Sequence, residues 1–379
     1  MSTKPRTNVR RIWALLCALL ALQLGSLISP AYACGCGAMV PDGTSRIGVD
    51  REVSVVRWDG RREEIVMRFT VGGDARRAAW IMPVPSRADV SLGDPDLFPE
   101  LDALTRPEHL TDTHFWPGAG DWPFSSGGRD SVGAALPGAG APRVGVIGRE
   151  RLGDFDVARL TATDPDALRT WLEANGFKLP ERLATELGPY VDRAWEYVAV
   201  RLVPREGGAP LRGELEPLRI RFDSARLVYP MRLSRLARTP QSLGLYVLAD
   251  HRMEPVSPIG GNIPEVTFAG RVEPEGATAE LAGDRPVFLT AIEQRFPEPS
   301  RIDGDHELRA TAADTPYRRI VHHRELLTVG GGVPVWLLTV GGGALVAVAV
   351  TLAVWVPRRR RRRTAHPGVG GASQVGGAI

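Results

Sequence analysis

Cys34-Gly35-Cys36 puts two thiols one glycine apart, the closest pairing of reactive side chains in the sequence. Outside the cytoplasm, where disulfides persist, such a pair can close into a small, strained ring. Two other fates fit the same residues. Cys34 can carry a lipid if processing leaves it at the N-terminus. Two thiolates can also join a soft metal, although nothing adjacent completes a ligand set. The best group of harder ligands is Glu108-His109 with Asp112 and His114, close to Trp116 and Trp122. It follows no recognised metal spacing. Asp303, Asp305 and Glu307 alternate as the first ligands of some calcium loops do, but the later ligands are missing, and the pattern reads as a solvated turn. There is no Gly-x-Ser-x-Gly elbow, His-Glu-x-x-His pair, phosphate-binding loop or dinucleotide fingerprint. No cofactor is implied. A carboxylate dyad assembled only by folding would leave no trace at this level.

Charge narrows the class of partner. The 379 residues carry 47 basic and 44 acidic side chains. Four basic residues (Lys4, Arg6, Arg10, Arg11) precede the first apolar run and six follow the last. All the acidic residues lie between, so the middle of the chain is net acidic, with 37 basic against 44 acidic residues. A nucleic-acid-binding domain has the opposite balance.

The basic ends instead set topology. Residues 1–33 have the parts of a secretory signal: a basic start, an apolar stretch from Ile12 to about Ile28, and Ala31-Tyr32-Ala33 as a small-residue cleavage site. Cleavage there leaves Cys34 first. At the other end, residues 333–356 hold no charge, and as a helix they would span ~36 Å against a hydrocarbon core of ~30 Å. Arg358, Arg359, Arg360, Arg361, Arg362 and Arg363 follow at once, a run that stays inside by the positive-inside rule. Within the span Gly343, Ala347 and Thr351 share one helix face and would allow weak self-association. Residues 364–379 are Gly-rich and are expected to be disordered, completing a cytoplasmic tail over 357–379. His322-His323, with Arg318 and Arg319, reads as a hydrated stalk ahead of the span.

The elements between the ends are mostly strands. Val53 to Val56 and Ile65 to Val71 flank Asp59-Gly60, a hairpin signal. Ala78 to Met82 is a short strand that Pro83 and Pro85 should end. Leu97, Leu101 and Leu104 have helical spacing. Residues 111–142, rich in Gly, Pro and Ser, read as a long mobile loop. Phe155 to Leu160 is a strand leading to a helix capped by Asp164, with Pro165 in its first turn and Asn175-Gly176 as its stop. A second helix begins near Pro180, with Gly188-Pro189 expected to kink it. From Trp195 strands dominate: 196–203, 218–222, 243–249, 266–271 and 287–292. A subdivision near residue 150 is compatible with this pattern.

Four stretches follow one another along the chain: Cys34-Gly35-Cys36-Gly37; Ala79-Trp80-Ile81-Met82-Pro83-Val84-Pro85; Asp156-Val157-Ala158 through Asp166-Ala167-Leu168-Arg169-Thr170-Trp171-Leu172 to Asn175-Gly176; and Val228-Tyr229-Pro230-Met231-Arg232-Leu233-Ser234. Together they resemble a bacterial family known as domain of unknown function 2330. The resemblance implies secretion or membrane attachment and brings no activity, cofactor or active-site residue with it.

The expectation is therefore an α+β, mainly antiparallel ectodomain over 34–332 with about three helices, followed by one C-terminal transmembrane helix. A cell-surface binding or scaffolding module fits best, with the bilayer and an envelope ligand or protein as partners and Trp116 and Trp122 as a possible partner surface. The alternative is an envelope hydrolase whose carboxylates converge in the fold.

Overall fold

The computed structural model describes residues 36–43, 45–118, 151–152, 155–160, 165–202, 209–283 and 285–363. The expected leader over 1–33, Cys34, Asp164, Trp122 and most of the segment 111–142 lie outside the described residues, as does 364–379. The chain divides into two compact units, Met1–Glu108 with Ala141–Arg319, and His109–Gly140 with Ile320–Ile379.

The first unit is built on two facing sheets. The larger runs β18 (Tyr317–Arg318), β15 (Glu265–Val272), β16 (Val287–Phe296), β13 (Gln241–Ala249), β2 (Ile47–Trp58), β3 (Arg62–Gly73), β11 (Leu218–Asp223), β5 (Asp89–Leu92), with β10 (Gly213–Glu214) also on β3. The smaller runs β1 (Ala38–Pro41), β4 (Ala78–Val84), β9 (Glu196–Leu202), β8 (Phe155–Leu160), β7 (Arg151–Leu152). A three-stranded sheet, β12 (Leu227–Tyr229), β17 (His306–Ala310), β14 (Met253–Pro255), contributes to the same core. Pairing is antiparallel except between β13 and β2.

Alternation along the strands sorts the apolar residues into three cores. Val56, Ile65, Met67 and Phe69 of the large sheet meet Met39, Trp80, Met82 and Val200 of the small one in the central core. On the other face of the small sheet, Ala79, Ile81 and Ala199 receive Leu168, Leu172, Leu183 and Leu187. These belong to helices α2 (Pro165–Ala174) and α3 (Glu181–Val191). On the outer face of the large sheet, Val53, Val55 and Val66 lie under Leu97, Phe98 and Leu101 of α1 (Leu97–Leu104), with Ala277 and Leu281 of α4 (Gly276–Ala282) alongside. The layers thus run helix, sheet, sheet, helix. Glu100 of α1 ties the outer helices together by accepting the Ala277 and Thr278 N–H groups at 3.1 and 2.9 Å. A carboxylate at a helix start satisfies orphan donors and suits the dipole.

The α+β class and the antiparallel character agree with the sequence, but the helix count does not. Five α-helices occur among the described residues, including the apolar C-terminal one. The helix missed, α4, has only seven residues and an N-terminus completed by a side chain from a distant helix. Pro83 does not end its strand either: β4 runs to Val84, with Pro83 opposite Tyr197. β1 is paired only as far as Ile81, so Pro83 sits beyond it at an open edge, where a missing N–H is tolerated. Gly188-Pro189 likewise lies inside α3, which continues to Val191.

The second unit contains β6 (Glu108–His114) beside β19 (Ile320–Leu326), the short pair β20 (Thr328–Val329) and β21 (Val333–Pro334), and α5 (Val335–Arg363). Residues 111–114 are therefore strand rather than loop. The apolar helix begins at Val335, two residues later than its charge-free run, because Gly330, Gly331 and Gly332 at φ 57°, 88° and 109° turn Val333 and Pro334 back onto β20. Val335 to Val356 is long and apolar enough to cross a membrane.

These placements set a contrast in stability. Leu172 is fully buried beneath the small sheet, and Trp171 is half-buried against the same cluster. Trp116 is 65% exposed. Leu172→Ala should cost about 2–5 kcal/mol of a total of about 5–15 kcal/mol, and Trp171→Ala should also lower the melting temperature. Trp116→Ala should stay within about 0.5 kcal/mol. Thermal melts of the full chain in detergent measure this, and equal losses for Trp116→Ala and Leu172→Ala would make Trp116 a core residue.

Candidate functional site

β2 carries different chemistry on its two faces, and a bulge decides which residues go where. Its register against β3 slips between Val49 and Arg51. Before the slip, Ile47 and Val49 face the central core; after it, Val56 does so while Val53 and Val55 face outward. One extra residue flips the phase of a strand. Glu52 and Ser54 thereby turn into the core, and Arg51 turns out.

Inside, Glu52 is the centre of a polar cluster at 1% exposure. Its two oxygens accept the backbone N–H of Cys36 at 3.1 and 3.0 Å. The Tyr229 hydroxyl donates to Glu52, and Ser54 Oγ stands 2.6 Å from the Tyr229 oxygen. Cys36 Sγ lies 3.5 Å from Met67 Sδ. Burial pushes the Glu52 carboxyl above the usual range, opposed by its bonds from Tyr229, Cys36 and Ser54. Three of the four stretches that carried the family resemblance meet here. Gly37 of the first runs against Trp80 and Ile81 of the second so closely that a Cβ would fall 2.5 Å from the Ile81 oxygen and 2.6 Å from Trp80 Nε1. Tyr229 of the fourth closes the cluster.

Further along the same sheet Glu63 is also buried, with Oε2 accepting the Val228 N–H at 3.1 Å. Among the described residues Glu63 Oε1 has no partner, and neither has Nε1 of Trp58, its cross-strand neighbour. His306, opposite Tyr229 across β12 and β17, is buried, and burial pushes its imidazole down to about 4. Asp305 corrects the reading of 303–307 as a solvated turn. Its carboxylate accepts from the Tyr190 hydroxyl at 2.5 Å and from the Met231 and Arg232 N–H groups at 2.9 and 3.1 Å, with Arg193 at 3.5 Å. It is a folding joint between α3 and the turn after β12.

Outside, the same stretch of β2 borders a recess on the large sheet. It holds about 140 Å³ and is lined by Arg51, Val53, Asp102, Thr105, Arg106, Gly244, Tyr246, Glu293 and Arg319 among others. A second recess of about 330 Å³ shares Arg51, Val53, Asp102 and Tyr246 with it. α1 forms one wall, and Gly244, directly opposite Val53, leaves the floor low. Burial pushes the Tyr246 phenol up, with Asp102 and Arg51 near enough to act on it in opposite senses. Arg319 is committed to Glu293 at 3.0 Å and to Glu265 at 3.3 Å.

The residues singled out by sequence fall elsewhere. His109 meets His323, with Nδ1 and Nε2 2.6 Å apart. Asp112 bonds His322 at 2.9 Å, and His114 faces the Trp116 carbonyl at 2.7 Å. His109, Asp112 and His114 are thus not brought to one point, and no group of three or more metal-type ligands occurs among the described residues. Of the cysteine pair, only Cys36 is described. Neither Glu52, Glu63 and His306 nor Arg51, Asp102 and Tyr246 stood out in the sequence. The one available signal was Glu52, a carboxylate on the apolar phase of an otherwise hydrophobic strand.

The buried carboxyl of Glu63 gives a pH signature. Burial pushes it well above the usual carboxylate range, with the Val228 N–H a smaller opposing influence. The folded chain then holds the proton more tightly than the unfolded one. Its contribution is complete below the unfolded value, about 4.3, and is lost as pH rises through the folded one. Glu63→Gln keeps an acceptor for Val228 and cannot ionise. Melts of the full chain across about pH 5 to 9 should show the variant gaining on the wild type as pH rises. Parallel curves would mean that Glu63 does not titrate in the fold.

Among curated proteins no sequence match was found. Among solved structures the chain is similar to baculovirus P35, at 10% identity, with 73% of this chain and 97% of that chain covered and a TM-score of 0.29. A family model described as an uncharacterized protein conserved in bacteria matches residues 30–309. That match covers well over half of the sequence and spans all four stretches: the chain belongs to the DUF2330 family.

Proposed function

We propose that the chain is a membrane-anchored extracytoplasmic binding or scaffolding module, and that its ligand site is the recess between α1 and the outer face of the large sheet. The observation that carries this reading is the pair Arg51 and Asp102. Both line the recess, and among the described residues neither side chain has an ion-pair or hydrogen-bond partner. Opposite charges held apart in a concave site suit a ligand that meets both. The hydrolase alternative asks for a carboxyl that keeps its proton beside an ionised one. Glu293, the second carboxylate of the recess, is taken up by Arg319, and the buried Glu52 and Glu63 face the opposite side of the sheet. Binding is the better fit.

The anchor is α5, with Arg358 to Arg363 cytoplasmic and Gly343, Ala347 and Thr351 as a face for weak self-association in the bilayer. Trp116, exposed ahead of the span, adds a second contact surface for an envelope partner.

Two measurements test this. A reporter active only outside the cell, fused after Ile379, should be silent, and a strong signal would reverse the orientation. For binding, the full chain in detergent is melted against a panel of small anions, zwitterions and sugars. A ligand at about 100 times its Kd adds about 2.7 kcal/mol of stability. At least one compound should stabilise the wild type, be recovered unchanged, and fail with Arg51→Gln. A compound that is consumed would put the hydrolase in place of the module, and a panel without any stabilising compound would remove the recess as the site.

A further inference from the structure

The charges left over in the recess specify more than a ligand of mixed polarity. Five charged side chains line it: Arg51, Arg106 and Arg319 against Asp102 and Glu293. Arg319 is engaged by Glu293 at 3.0 Å and by Glu265 at 3.3 Å, which takes Arg319 and Glu293 out of the count. That leaves two guanidinium groups and one carboxylate, none with a side-chain partner among the described residues. Resting on the reading of the recess as a ligand site, we propose that it binds an acidic α-amino acid, a molecule with two carboxylates and one ammonium group.

The complement is one of number and of sign. A simple anion would meet Arg51 and Arg106 but leave Asp102 facing it; a simple amine would face two guanidiniums. A neutral amino acid would leave one guanidinium without a partner. Only two carboxylates with one ammonium answer all three charges. Guanidinium groups favour carboxylates because their donors fit both oxygens at once. All three side chains are exposed, so each pairing is a near-surface one and selectivity rests on the set of three charges rather than on any one of them. Tyr246 lines the same recess with its side chain half-buried, so ligand carbon atoms have an apolar surface beside the charged groups. Gly244 supplies the depth. A methyl group there would stand in the recess with no protein atom nearer than 3.8 Å, at Val53 Cγ2. The wider recess beyond Tyr246 continues the site past the same four residues.

Calorimetric titration of the full chain in detergent compares L-glutamate with glutarate, which lacks the ammonium, and with L-glutamine, which lacks the second carboxylate. Glutamate should bind at least about tenfold more tightly than either, a difference of about 1.4 kcal/mol. Arg51→Gln should bring glutamate down to the level of glutamine. Asp102→Asn should reverse the order of glutamate and glutarate, a gain that a damaged fold cannot produce. Gly244→Ala should weaken all three ligands while the melting temperature holds. Equal affinities for the three compounds, or no saturable glutamate binding by about 1 mM, would overturn the assignment. If glutamate is silent while another compound of the panel binds and is lost in Gly244→Ala, the ligand class falls and the recess remains a binding site. If nothing binds, both fall together.

Discussion

A carboxylate buried at 1% exposure is the constraint around which the first unit is arranged. Taken alone, an ionisable group so far from water is costly, and it persists only where hydrogen bonds replace its hydration. Glu52 finds those bonds in the neighbouring Ser54 and in two distant parts of the chain, the Cys36 backbone and the Tyr229 hydroxyl. Each partner depends on the others. Without Glu52 the Cys36 N–H would lose the carboxylate that accepts it, and the Tyr229 hydroxyl would be left with Ser54. The group therefore fixes the entry of the N-terminal arm and the seating of the three-stranded sheet in one step. Gly37 is part of the same requirement, since only a residue without a Cβ passes Trp80 and the Ile81 carbonyl so closely.

The β2 bulge links this buried centre to the surface. Because the phase changes at residue 50, Glu52 faces the core and Arg51 faces the outer recess, one residue apart and on opposite sides of the sheet. The two sites share a strand but have different physics. Inside, the carboxylate is saturated and enclosed. Outside, the side chains of Arg51, Arg106 and Asp102 are exposed and have no ion-pair partner among the described residues. A shift of register on β2 would exchange the faces and destroy both.

Much of the architecture was legible because it rests on local pattern. The hairpin around Asp59-Gly60, the alternation of Arg219 and Arg221 with apolar neighbours, the helix spacing of Leu97 and Leu101, and the stop at Asn175-Gly176 all involve residues close in sequence. Errors came where a distant element changed the local outcome. Pro83 stays in a strand because β1 is paired only up to Ile81. Residues 111–114 form a strand because Ile320 to Leu326 lies beside them, two hundred residues on. α4 starts where Glu100 from another helix supplies its missing acceptor. Asp305 reads as part of a polar turn until Tyr190 and the backbone at 231–232 close over it.

By itself the sequence determined the apolar C-terminal helix, the acidic balance of the region between the basic ends, the antiparallel α+β class and the family resemblance. These follow from composition and from periods of two and 3.6 residues, which need no knowledge of what lies across the core. The tertiary structure alone decided which carboxylates are buried, which charges are left without partners, and that His109, Asp112 and His114 do not meet. Those properties belong to pairs of residues far apart in the chain. Their free energies depend on burial and distance, and neither is encoded at any single position.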